Sequence, residues 1–170
     1  MWGFTGPVLG GKPQAGFVIK DTPVVHYNKG VLVPKPSGIK IRKIHGFEIN
    51  PVYTIEKGHA GETVVFAHKF DNLGNTSEKL TFKVISAPPE ATVKIMVGKE
   101  TISGDFTAPE DASFTLWVLC KLPESALPNK NYTFKLLISS LEKDGDAYLG
   151  FDGRLHGGKD EITLTDRILL

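Results

Sequence analysis

Three aspartates and three glycines fall within ten residues, Asp144-Gly145-Asp146-Ala147-Tyr148-Leu149-Gly150-Phe151-Asp152-Gly153. Those residue types suit a calcium loop, because Ca²⁺ takes several oxygen ligands on a backbone that glycine allows to turn sharply. Asp144, Asp146 and Asp152 are the candidate ligands, with Asp160 and Glu161 following. The spacing starts like an EF-hand loop but fails at its fifth position, where Tyr148 stands, and no glutamate closes it. The competing reading is a long solvated hairpin whose aspartates cap turns. Calcium is the one cofactor the sequence suggests.

Other chemistry finds little support. His26, His45, His59, His68 and His156 are scattered and share no short metal-ligand spacing. The single cysteine, Cys120, falls in an apolar run, where burial raises a thiol's pKa and makes it inert. Gly10-Gly11-Lys12 lacks the Walker spacing and a following helix, and there is no Gly-x-Ser-x-Gly elbow. The carboxylates are dispersed, so no facing pair for glycoside hydrolysis stands out. The chain is expected not to be an enzyme. Trp117, Tyr148 and Phe151 are aromatics that could stack on a sugar, which keeps non-catalytic carbohydrate binding open. Asn75-Thr76-Ser77 and Asn131-Tyr132-Thr133 match the glycosylation sequon, a weak signal.

The elements that would position these residues are strands. Apolar residues recur with period two, as in Leu80-Thr81-Phe82-Lys83-Val84, Tyr132-Thr133-Phe134-Lys135-Leu136 and Ile162-Thr163-Leu164. Successive side chains of a strand point to opposite faces, so each run has one dry and one wet side. That is the pattern of antiparallel sheets solvated on one face. Asp71-Asn72-Leu73-Gly74-Asn75 reads as a hairpin-like connection, and Ala87-Pro88-Pro89-Glu90 as a break in any ladder. About seven strands at short spacing predict a two-sheet sandwich over 38–170. Residues 1–37, with six glycines and five prolines, read as an extended arm or linker.

One strand departs from alternation. In Phe114-Thr115-Leu116-Trp117-Val118-Leu119-Cys120, Trp117 and Leu119 oppose the other apolar side chains. Leu137 and Val65 could extend the same outer face, which then needs a cover: the N-terminal arm or another chain. Trp117, Leu119 and Leu137 are therefore the candidate interaction residues.

Composition narrows the classes further. The 170 residues are 41% hydrophobic and 23% charged, with a net charge of +1. Lys40, Arg42 and Lys43 form the one short basic cluster, too small for a nucleic-acid footprint. No run approaches the roughly 18 apolar residues of a membrane span, and Met1-Trp2-Gly3-Phe4 does not open a signal peptide.

The stretch from Glu56 to Phe66, with Gly61-Glu62-Thr63-Val64 turning into a strand, followed by Asn72-Leu73-Gly74-Asn75, resembles the immunoglobulin-like repeat domains of bacterial and archaeal cell-surface proteins. Ala108-Pro109-Glu110-Asp111-Ala112, Leu122-Pro123-Glu124-Ser125-Ala126 and Ile138-Ser139-Ser140 continue the likeness over about 50–140. The resemblance implies an all-β, immunoglobulin-like antiparallel sandwich, and an extracellular or cell-surface module that spaces or docks neighbouring chains. A protein partner or self-association is the expected mode, with a carbohydrate- or calcium-dependent ligand as the alternative.

Overall fold

The computed structural model describes residues 43–142 and 158–170 in full, and the strand backbones at 18–21, 25–27, 30–32, 37–40, 148–149 and 155–156. The chain divides into two units, Met1–Lys43 and Ile44–Leu170. In the first, β1 (Val18–Asp21) pairs antiparallel with β4 (Ser37–Lys40), and β2 (Val25–Tyr27) with β3 (Gly30–Leu32).

The second unit is an all-β sandwich of two five-stranded sheets. Its strands run in chain order through β5 (Phe47–Asn50), β6 (Tyr53–Lys57), β7 (Thr63–Asn72), β8 (Glu78–Ser86), β9 (Thr92–Val97) and β10 (Glu100–Ile102). Then come β11 (Phe106–Ala108), β12 (Ser113–Lys121), β13 (Asn131–Ser140), the short pair β14 (Tyr148–Leu149) and β15 (Leu155–His156), and β16 (Glu161–Leu169). The first sheet has the order β10-β9-β12-β7-β5 and the second β11-β8-β13-β16-β6. Within them, β5-β7-β12-β9 and β8-β13-β16 reproduce the ABED and CFG sheets of an immunoglobulin domain. Of the ten strands in these two sheets, the three beyond the expected seven are short edge pieces: β6, β10 and β11.

Alternation builds the core. β7 buries Val64, Phe66, His68, Phe70 and Asn72 while the intervening residues face outward. Leu116, Val118 and Cys120 of β12, Phe134, Leu136 and Ile138 of β13, and Ile162, Leu164 and Ile168 of β16 meet them between the sheets. At one end, Phe70 stacks on Phe47 and Phe114 with centroids 5.5 and 4.6 Å apart. Offset rings at this separation add to the burial itself.

The 71–75 connection is not a hairpin. β7 and β8 belong to different sheets, so the segment crosses the sandwich. Asn72 shapes the crossing: its Nδ2 donates to the carbonyls of Thr76 and Pro109, and its Oδ1 accepts from Gly74 N at 3.0 Å. Turn residues report that the chain bends; they do not report which sheet receives the next strand.

The first strand of the sandwich also changes sheets. β5 pairs antiparallel with β7 in one sheet, and after a cis Asn50–Pro51 peptide β6 pairs parallel with β16 in the other. At the start of β5, Gly46 has φ +136°, and a Cβ there would stand 2.3 Å from Gly158 N. Two glycines are thus required where Phe47 and Lys159 exchange hydrogen bonds of 3.1 and 2.9 Å.

Candidate functional site

The outer face of the first sheet carries the apolar surface. In β12, Trp117 is 38% exposed and Leu119 half-buried, both pointing away from the core. Register places Trp117 between Ala67 of β7 and Met96 of β9, and Leu119 between Val65 and Lys94. Val65 is 47% exposed, so Trp117, Leu119, Val65, Ala67 and Met96 form one continuous patch on three adjacent strands. Lys69, Lys94 and Lys121 rim it, with Lys69 held by Asp71 at 3.0 Å. Leu137 is not part of it. β13 belongs to the second sheet, so half-buried Leu137 faces the opposite side of the sandwich. Period two fixes the face of a strand but not the sheet it joins.

Between the sheets lies a polar centre built on His68. This residue and Asp166 are 0% and 2% exposed. Nδ1 of His68 lies 2.7 Å from the Pro51 carbonyl, and Nε2 stands 3.2 Å from each oxygen of Asp166. Both ring nitrogens face acceptors, an arrangement that a doubly protonated ring satisfies beside an ionised carboxylate. Burial alone would lower the His68 pKa; the Asp166 hydrogen bond, the Pro51 carbonyl and the Asp166 charge outweigh it and raise the pKa above 6.5.

Cys120 makes no nucleophilic set with this pair: it lies four residues along β12 from Leu116, which stands opposite His68. Neither ring nitrogen is directed at the thiol, since both are engaged by oxygen. Burial, and then the nearby Asp166 charge, push the thiol up to about 12, so it stays protonated at neutral pH. The cluster joins β7, β16 and the 51 turn, and its chemistry is structural.

A second polar centre sits at the end of the sandwich. Glu78 is fully buried, and its Oε2 accepts from Gly46 N at 2.9 Å. Its Oε1 accepts from the Ser140 hydroxyl, which itself accepts from Glu142 N at 3.0 Å. His45 Nδ1 lies 3.5 Å from Glu78 Oε2. Nearby, Asn75 Oδ1 accepts from Ile44 N at 2.8 Å, which turns this sequon asparagine inward.

These acids carried a signal that composition hides. Asp166 follows Ile162 and Leu164 in period two and precedes Ile168, so it is an acid on a dry face; Glu78 stands likewise two residues before Leu80. The calcium candidates Asp144, Asp146 and Asp152, and the side chains of Tyr148 and Phe151, lie outside the described residues. Among the described residues, no group of three or more His, Cys, Asp or Glu is placed to hold a metal ion, and no helix is long and apolar enough to cross a membrane.

No family model matches the chain, and no curated protein matches it. Among solved structures, it is similar to an ASH/PapD-like domain from human, at 14% identity over 72% of this chain and 81% of that one, with a TM-score of 0.41. It is also similar to a family 123 glycoside hydrolase from Clostridium perfringens, at 9% identity over 74% of this chain and TM-score 0.47. A third is the E. coli chaperone DraB, at 8% identity over 74% of this chain and TM-score 0.43. The chain spans 27% of the hydrolase chain and 54% of the chaperone chain. The second unit is an immunoglobulin-like β-sandwich by its own strand order.

Proposed function

We propose that this protein is a non-catalytic interaction module of a cell-surface or extracellular assembly, docking a neighbouring protein chain on the outer face of β12, β7 and β9. The observation that carries the reading is the Trp117 patch: a large aromatic 38% exposed at the centre of a regular sheet, with Val65, Leu119, Met96 and Ala67 around it. Contiguous apolar surface with a polar rim marks contact sites, and tryptophan is enriched where contacts carry energy. The surface assignment is supported by the turn pattern of 56–75, which resembles that of surface repeat domains.

Light scattering over a concentration series, with apolar-dye binding in parallel, tests the docking face on wild type and on Trp117→Lys. Self-association or dye binding that the substitution abolishes supports it. Identical behaviour of the two proteins in both measurements removes the Trp117 face from consideration.

A further inference from the structure

The outer face of the second sheet is of a different kind. Its registers place Lys83 of β8 beside Leu137, Lys135 of β13 beside Thr165, Arg167 of β16 beside Ile55, and Lys57 of β6 beside Leu169. Each cation lies one strand over and one row along from the last. Strand spacing and rise per residue put such steps about 8 Å apart, so the four form a diagonal stripe about 25 Å long.

Among the described residues, no acid interrupts the stripe. On this face Glu161 stands in the row beyond Lys83, and Lys79 is compensated by Asp105 at 3.4 Å. Lys57, Lys83, Lys135 and Arg167 make no ion pair among the described residues, and the three lysines are exposed. The Arg167 guanidinium stands 5.9 Å from the ring centre of Tyr53, itself 46% exposed. In a chain whose net charge is only +1, this is a marked segregation of charge.

We infer that the outer face of the second sheet binds a linear anionic polysaccharide laid along the Lys83–Lys135–Arg167–Lys57 diagonal. Charge complementarity asks for a polyanion whose negative groups recur at about the spacing of the stripe. The inner strands of the sheet have their main-chain groups already paired, so a polypeptide crossing the diagonal would find few partners for its own N–H and C=O groups. A glycan has no such groups to satisfy. Its hydroxyls meet Thr133, Thr163 and Thr165, which lie between the cations, and a sugar ring has the Tyr53 face beside it.

The experiment is binding of the full chain to immobilised polygalacturonate and heparin across a salt series, with neutral dextran and poly-L-glutamate as comparators. Retention on an anionic glycan that falls steeply with salt is expected, because counterion release and screening both weaken such contacts. Lys83→Glu with Lys135→Glu should weaken it at least roughly tenfold, since each reversal replaces an attraction by a repulsion. Lys99→Glu with Lys159→Glu, at the edges of the other sheet and outside the Trp117 patch, should leave it unchanged. These lysines are exposed, and a melting temperature within a few degrees of wild type shows that the variants fold. No retention on either glycan, equal retention of both double variants, or equally tight binding of poly-L-glutamate or dextran would overturn the proposal.

Discussion

β5 is held at its two ends by two buried acids that use different partners. At its start, Glu78 receives the Gly46 N–H and the Ser140 hydroxyl. At its end, the Pro51 carbonyl is taken by His68, whose other nitrogen faces Asp166. The first anchor is made chiefly of neutral donors, while the second depends on a proton held by an imidazole. Both serve one purpose, since the strand between them must leave one sheet and enter the other. The difference teaches that the second anchor couples the sheet crossing to pH through His68.

The largest effect should come from breaking the charged anchor. Asp166→Ala leaves His68 buried against a single carbonyl, and removing one partner of a buried pair costs about 3–5 kcal/mol. Chemical denaturation of the variant should show it, and a loss under about 1 kcal/mol would mean that the pair contributes little. Glu78→Ala should cost less, about 1–3 kcal/mol, because it strands the Gly46 N–H rather than a charge, while the Ser140 hydroxyl keeps the Glu142 carbonyl at 2.8 Å. If the two variants reverse that order, the neutral anchor is the stronger.

The pH dependence sharpens the contrast. The His68 pKa is raised on folding, so the native state holds this proton more tightly than the unfolded chain. Its contribution is fully present below pH 6.5 and is lost as the pH rises through the higher folded value. Wild-type unfolding free energy should therefore fall on going from pH 6.5 to about pH 8, short of the range in which the Cys120 thiol adds its own loss. His68→Gln should be less stable at acid pH and lose most of that slope; an unchanged slope would place the titration elsewhere. The smallest stability effect belongs to the surface: Trp117→Lys should change unfolding by about 1 kcal/mol or less while removing association. A larger loss would show that Trp117 supports the sheet rather than a partner.

The two outer faces differ as sharply as the two anchors, though they cover the same core. One is apolar around Trp117 and the other is cationic along a diagonal from Lys83 to Lys57. One sandwich can therefore present a protein-docking side and a polyanion-binding side without sharing a residue. The interior anchors support both, and their loss should weaken both together.

What the sequence determined by itself was local. Period two in Val64 to Phe70, Phe134 to Ile138 and Ile162 to Ile168 set strands with one dry face, and the same alternation turned Trp117 outward, because successive side chains must oppose. It also put Cys120 on the dry side, where burial keeps a thiol protonated. Only the tertiary structure decided which strands became neighbours. Nothing local in Leu137 or Val65 says that one joins the Trp117 face and the other leaves it, since sheet membership follows from pairing across long stretches of chain. The same holds for His68 and Asp166, 98 positions apart, and for Lys83, Lys135, Arg167 and Lys57, which form a line only once four strands are laid side by side. Alternation is written residue by residue, whereas register is a property of the assembled sheet.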